Sequence, residues 1–206
     1  TDGLLDRLVR RYLETPVLTC VEQWTMDIEG KLGFLWGLGA VPAFLHEYYA
    51  TGSPSPWTAV KTLARGIGST LIQGSMVRRM TRPVEVEVVT DTGERWPMQP
   101  FLSVAAGTIE DIGLGFRPFH RAHEVRGALH LLGIRTTPVS FVADLPRIHR
   151  AEPMSPGKAV DAIVRRAVIR SREPTMRYMI DGDVIEHPSN ELTVRIGSVV
   201  RIATMN

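Results

Sequence analysis

"VEVEVVTDTGERWPMQPFLSVAAGT", residues 84–108, decides the fold class. Val84, Val86 and Val88 alternate with Glu85 and Glu87, a period of two that belongs to a strand with one face buried and one in water. Asp91-Thr92-Gly93 then supplies a hairpin turn, so the next strand returns antiparallel. "PFLSVAAGT" is apolar nearly throughout and reads as a buried strand.

The same logic extends outward. "VLTCVE", "WTMDIE" and "LGFLWGLG" read as strands on the N-terminal side, and "ALHLLGI" as one further on. Four closing strands follow from "AIVRRAVIRS", "TMRYMI", "NELTVRI" and "SVVRIAT", with "DVIEH" completing a second hairpin at Asp181-Gly182. Helical spacing is confined to a few places. Leu4, Leu5, Leu8, Val9 and Leu13 make residues 1–14 one amphipathic helix. "PAFLHEYYATG" starts with Pro42 in a first turn and stops at Gly52, and "SPWTAVKTLARGIGSTLIQGSMVRRM" opens on a Ser55-Pro56 cap. "TPVSFVADLPRIHR" carries a capping Thr137 and Pro138 at its first turn, and "SPGKAV" reads as the start of a further short helix. The expectation is about ten strands and four helices without βαβ alternation. That is an α+β chain, mainly β, built on an antiparallel β-sandwich.

Composition narrows the class of function. The chain has 206 residues, 44% hydrophobic and 22% charged, as ordinary globular domains do. Its 24 basic and 22 acidic residues leave a net charge of +2, too weak a field to suggest a nucleic-acid partner. Cys20 is the single cysteine and cannot form an internal disulfide, which fits a reducing cytoplasm. No apolar run reaches the roughly 18 residues a membrane span needs, and no signal peptide is readable. The sequence starts at Thr1 inside a helix already under way, as a fragment of a longer protein would.

The standard catalytic signatures, Walker A, G-x-S-x-G, H-E-x-x-H and C-x-x-C, are absent from the sequence. His120, His123, His130 and Glu124 crowd "HRAHEVRGALH", but a metal centre needs converging ligands, and the plainer reading is a hydrogen-bonded loop. Arg165, Arg166, Arg170 and Arg172 read as a solvated sheet edge, with a phosphate or anionic membrane contact as the sharper alternative. In "RYMIDGDVIEHP", residues 177–188, Asp181 and Asp183 flank Gly182. Asp-Gly between strand residues is first of all a type I′ turn, because both tolerate positive φ. Asp91-Thr92-Gly93 is the chain's own control, a similar turn with no visible chemistry.

Taken in order, several stretches resemble the C-terminal domain of the diacylglycerol kinase-like lipid kinases, a family that includes sphingosine kinases and bacterial lipid kinases. "LGFLWGLGAVPAFLHEYYATG" is similar to the family's strand, glycine-rich turn and helix, and "VEVEVVTDTGERWPMQPFLSVAAGT" to its paired strands. "IGLGFRPFHRAHEVRGALHLLGI" resembles its glycine-rich segment, and "YMIDGDVIEHPSNELTVRIGSVVRIATMN" its closing acidic turn and last strands. The resemblance implies a lipid-kinase domain over residues 15–206, with residues 1–14 a helix from the inter-domain join. The nucleotide-binding domain, with its Gly-Gly-Asp-Gly-Thr loop, would precede this chain.

The implied reaction moves the γ-phosphoryl group of ATP to a lipid hydroxyl, diacylglycerol-like or sphingoid, with Mg²⁺ neutralising phosphate charge. ATP and Mg²⁺ would belong to the full-length protein, with no metal ligand assigned to this chain, where Arg126 stands at a position many members give to Asp. The resemblance makes Asp181 the proton acceptor or its orienter, Gly182 the turn, and Asp183 a contact toward the nucleotide and metal. Phe34, Trp36, Gly37, Gly39 and Phe44 would line the lipid cleft. The implied partners are a lipid substrate at a membrane surface, met peripherally from the cytoplasm, and the missing nucleotide-binding domain. A homodimer stays open. The competing reading is a non-catalytic sandwich that binds lipid or a protein, its Asp-Gly turn purely structural.

Overall fold

In the computed structural model, residues 2–14, 19–40, 82–113 and 115–204 are described. They form two six-stranded antiparallel sheets. The elements in chain order are α1 (Asp2–Glu14), β1 (Thr19–Ile28), β2 (Lys31–Gly33), β3 (Leu35–Gly39), β4 (Val84–Thr90), β5 (Arg95–Phe101), β6 (Ser103–Gly107) and β7 (Leu129–Ile134). There follow α2 (Pro138–His149), β8 (Ala159–Val164), β9 (Arg166–Ser171), β10 (Met176–Ile180), β11 (Asp183–His187) and β12 (Glu191–Thr204). The first sheet runs β2-β1-β12-β9-β4-β5 and the second β11-β10-β3-β6-β7-β8.

One apolar core joins them. Met26, Ile28, Val86, Val88 and Ile169 of the first sheet cluster with Trp36, Val104, Leu131 and Tyr178 of the second. The alternation of Val86 and Val88 is what aims both at this layer. The other face of the second sheet is covered in turn. Leu102, Ala105, Leu132 and Ile134 cluster with Phe119 and Ala122 from the loop before β7 and with Phe141 of α2. On the open face of the first sheet, Arg170 of β9 pairs with Glu87 of β4 and Glu191 of β12. The arginine run is therefore a solvated sheet face, on a strand inside the sheet rather than at its edge.

The chain changes sheets at single residues. Phe34 separates β2 from β3, Leu102 separates β5 from β6, and Arg165 separates β8 from β9; each pair has its members in different sheets. These crossings correct the sequence reading, in which "LGFLWGLG", "PFLSVAAGT" and "AIVRRAVIRS" were each one strand. Two other corrections join what the sequence separates. The described part of "VLTCVE", from Thr19, runs with "WTMDI" as one strand with a bulge between Trp24 and Met26, and "NELTVRI" and "SVVRIAT" merge in the single β12. There are thus twelve strands among the described residues rather than about ten.

Two helices, not four, fall among the described residues. The helices expected within 42–52 and 55–80 lie outside them. Thr137 caps α2 as expected, its side chain accepting the Ser140 amide, with Pro138 in the first turn. "SPGKAV" is a turn leading into β8, not a helix. Gly157, at φ 78°, stops it, because only glycine enters that region without strain.

Candidate functional site

The expected turn between β10 and β11 is present. Ile180 pairs with Asp183 across a two-residue loop, and both Asp181 (φ 47°) and Gly182 (φ 101°) take the positive φ of a type I′ hairpin. This geometry turns the Asp181 side chain onto the Phe34 crossing. The Phe34 amide donates to both carboxylate oxygens at 3.0 Å, and the Leu35 amide to Oδ1 at 2.8 Å. The Asp181 amide returns a bond to the Leu35 carbonyl at 3.0 Å. A kinked strand has amides that no neighbouring strand can reach, and this carboxylate satisfies them.

Two further residues complete the clamp. Thr108 donates its amide to the Phe34 carbonyl at 3.0 Å, and Gln23 Nε2 donates to the Thr108 carbonyl at 2.8 Å. Gly33 leaves room: a Cβ there would lie 2.3 Å from Ile180 Cγ2 and 2.8 Å from Asp181 Oδ2. None of Gly33, Thr108 and Gln23 was singled out by the sequence. The only local signal is a glycine one residue before the crossing, since the Asp181–Phe34 contact spans 147 positions.

Asp183 is treated differently. It is exposed, and among the described residues its carboxylate makes no hydrogen bond or ion pair. The expected lipid-contact residues divide as well. Phe34 is half-buried at the crossing and so adjoins Asp181. Trp36 is 1% exposed, part of the core, with its indole Nε1 buried and unpartnered. Gly37 is buried between Met179 and Ala105 on the neighbouring strands. Gly39, at φ 84°, sits where a Cβ would lie 2.7 Å from the Leu102 carbonyl oxygen, which fits it to the second crossing. Phe44 lies outside the described residues.

A cavity of about 240 Å³ opens beside this clamp, lined by Glu22, Gln23, Trp24, Thr108, His123 and Arg126 among others. It shares Gln23 and Thr108 with the bonds that hold Phe34. Among the described residues no group of three or more His, Cys, Asp or Glu is placed to hold a metal ion. Asp181 has its oxygens on amides, which leaves Asp183 as the free carboxylate of the turn. These residues do not build a Mg²⁺ site by themselves. No described helix is long and apolar enough to cross a membrane.

No protein-family model matches the sequence, and no curated protein matches it. Solved structures do. A diacylglycerol kinase from Bacillus anthracis str. Sterne matches over 90% of this chain and 53% of its own, with TM-score 0.51 and 11% identity. Two structures of a proposed diacylglycerol kinase from the same organism match over 90% of this chain and 56% of theirs. Their TM-scores are 0.56 and 0.54, and their identities 14% and 15%. The fold is that of the C-terminal part of these kinases. At such identities the likeness is one of fold, and this chain spans about half the length of the structures it matches.

Proposed function

We propose that this chain is the lipid-binding and partly catalytic half of an ATP-dependent lipid kinase. The observation that carries the reading is the division of labour in the Asp181-Gly182-Asp183 turn. Asp181 is committed to the Phe34 and Leu35 amides, so it orients. Asp183, exposed at the start of β11, is the carboxylate left to take the proton of an acceptor hydroxyl. A catalytic group needs its neighbours fixed by packing and hydrogen bonds, and the type I′ turn and the clamp supply that. ATP and Mg²⁺ belong to the nucleotide-binding part outside this chain. The exposed Val9, Tyr12 and Leu13 of α1 suit a helix that joins the two halves. The lipid would be met peripherally at a membrane surface, its acyl part near Phe34.

The test is lipid phosphorylation by the full-length protein, with diacylglycerol and a sphingoid base as alternative acceptors. Activity on either supports the reading, and turnover of ATP and lipid by this chain alone contradicts it. A second reading, a non-catalytic sandwich, draws on the same clamp, since Asp181 is fully accounted for as structure. It predicts that Asp183→Asn leaves every function of the protein unchanged.

A further inference from the structure

The solvent face of the first sheet is a ladder of arginines and carboxylates, and one rung lacks its acid. Arg170 of β9 stands directly across from Glu87 of β4 and Glu191 of β12 and pairs with both. Arg172, just past β9, pairs with Glu85, Arg95 with Glu87, and Arg195 of β12 with Asp27 of β1. Arg165 is turned elsewhere, its Nε donating to the Gly127 carbonyl at 3.3 Å. Arg166 is the exception. Its direct neighbour on β12 is Arg195, and among the described residues its exposed guanidinium makes no hydrogen bond or ion pair. Like charges directly opposite one another on adjacent strands are destabilising.

This odd rung lines a cavity of about 380 Å³, walled by Asp27, Glu29, Gly30, Arg166, Thr193 and Arg195. Two arginines and two carboxylates balance in charge here, but the hydrogen-bonding atoms do not balance. Both oxygens of Asp27 are occupied. Oδ1 accepts the Gly30 amide at 2.8 Å, and Oδ2 accepts Arg195 Nε at 3.1 Å and Nη2 at 2.6 Å. Glu29 Oε1 accepts the Thr193 amide at 2.8 Å. What is left over among the described residues is mainly donors: the whole Arg166 guanidinium, Nη1 of Arg195 and the Thr193 hydroxyl. Glu29 Oε2 is the acceptor that remains.

A guanidinium is a rigid fork of donors suited to phosphate oxygens. The oxygens of one phosphate group are spread tetrahedrally, so a single group can meet two guanidinia on adjacent strands about 4.8 Å apart. Where the phosphate keeps an O–H, that proton answers Glu29.

We propose that this cavity is a phosphate site, in which the anion sits between Arg166 and Arg195 and supplies the acid that the ladder lacks. The phosphate is that of a soluble compound or of a lipid headgroup. This inference does not depend on the lipid-kinase reading.

Two probes test it on the whole chain at constant ionic strength. One is inorganic phosphate, followed by NMR at the amides of Arg166 and Thr193. The other is co-sedimentation with phosphatidylcholine vesicles, with and without phosphatidic acid. Arg166→Gln should weaken binding of at least one probe about tenfold or more, through the loss of charge-assisted bonds. Weakened phosphate binding identifies a soluble ligand, and weakened vesicle binding alone identifies a headgroup. Arg172→Gln removes the same charge from an arginine already paired with Glu85, and should leave both within about twofold. Equal weakening in the two variants, or no binding of either probe by the unaltered chain, overturns the proposal. Thermal unfolding without phosphate is the second measurement. Arg166→Gln relieves a like-charge pair and should unfold at the same temperature as the unaltered chain or higher. A lower temperature would mean that Arg166 already has its anion within the protein, and contradicts the site.

Discussion

The Asp91-Thr92-Gly93 turn and the Asp181-Gly182 turn grip the molecule in the same way. Asp91 accepts the amide of Arg165, the residue between β8 and β9, at 3.2 Å, and its own amide donates to the Arg166 carbonyl at 3.0 Å. Asp181 accepts the amide of Phe34, between β2 and β3, and donates to the Leu35 carbonyl. Each aspartate thus clamps a point where the chain leaves one sheet for the other. The difference lies in the acid that follows the glycine. Glu94 accepts the Trp96 indole N–H at 2.8 Å, whereas the Asp183 carboxylate has no partner among the described residues. The comparison teaches that Asp181 resembles the control and that Asp183 is the member that departs from it.

Breaking the clamps should rank them. Gly33→Ala pushes a methyl group into Ile180 and the Asp181 carboxylate, and overpacking of this kind costs about 3 kcal/mol, readable by urea unfolding. Asp181→Ala leaves the Phe34 and Leu35 amides without their acceptor. At this partly exposed site the loss should be about 2 kcal/mol. Asp91→Ala removes the acceptor of one amide, that of Arg165, and should cost about 1 kcal/mol. Equal losses at Asp91 and Asp181 would show that the additional Leu35 bond contributes nothing.

Much of this was legible. Alternation in Val84–Thr90, the two turns, the Thr137 cap and the sandwich class all follow from local pattern. The crossings were not, because apolar residues continue through them. One left a trace: the buried positions Ala162 and Val164 are followed by Ala167 and Ile169, so the period of two slips by one residue at Arg165-Arg166. The partners of Asp181 and His130 are distant in sequence, and periodicity says nothing about such pairs. Helical patterning within 42–80 lies outside the described residues.

Acid should act through His120, in the loop before β7, and through Asp161 on β8. The unfolded chain protonates His120 below about pH 6.5, whereas the folded chain resists, so stability falls as pH drops through that value. Asp161 acts lower down. Its hydrogen bond to His130 and its contact with Arg121 hold it at about 2. Its contribution is therefore complete above about pH 3.9 and is lost as pH falls from there toward the folded value. Chemical unfolding at stepped pH should show His120→Phe losing the first decline and keeping the second.

The smallest effect on stability belongs to Asp183, and the account depends most on that residue. Asp183→Asn in the full-length protein should unfold within about 0.5 kcal/mol of the unaltered protein, as exposed substitutions do. It should lower the rate of lipid phosphorylation by about a hundredfold or more, the usual contribution of a general base. Full activity in a stably folded Asp183→Asn protein would contradict the account and leave the turn a structural clamp like the one at Asp91.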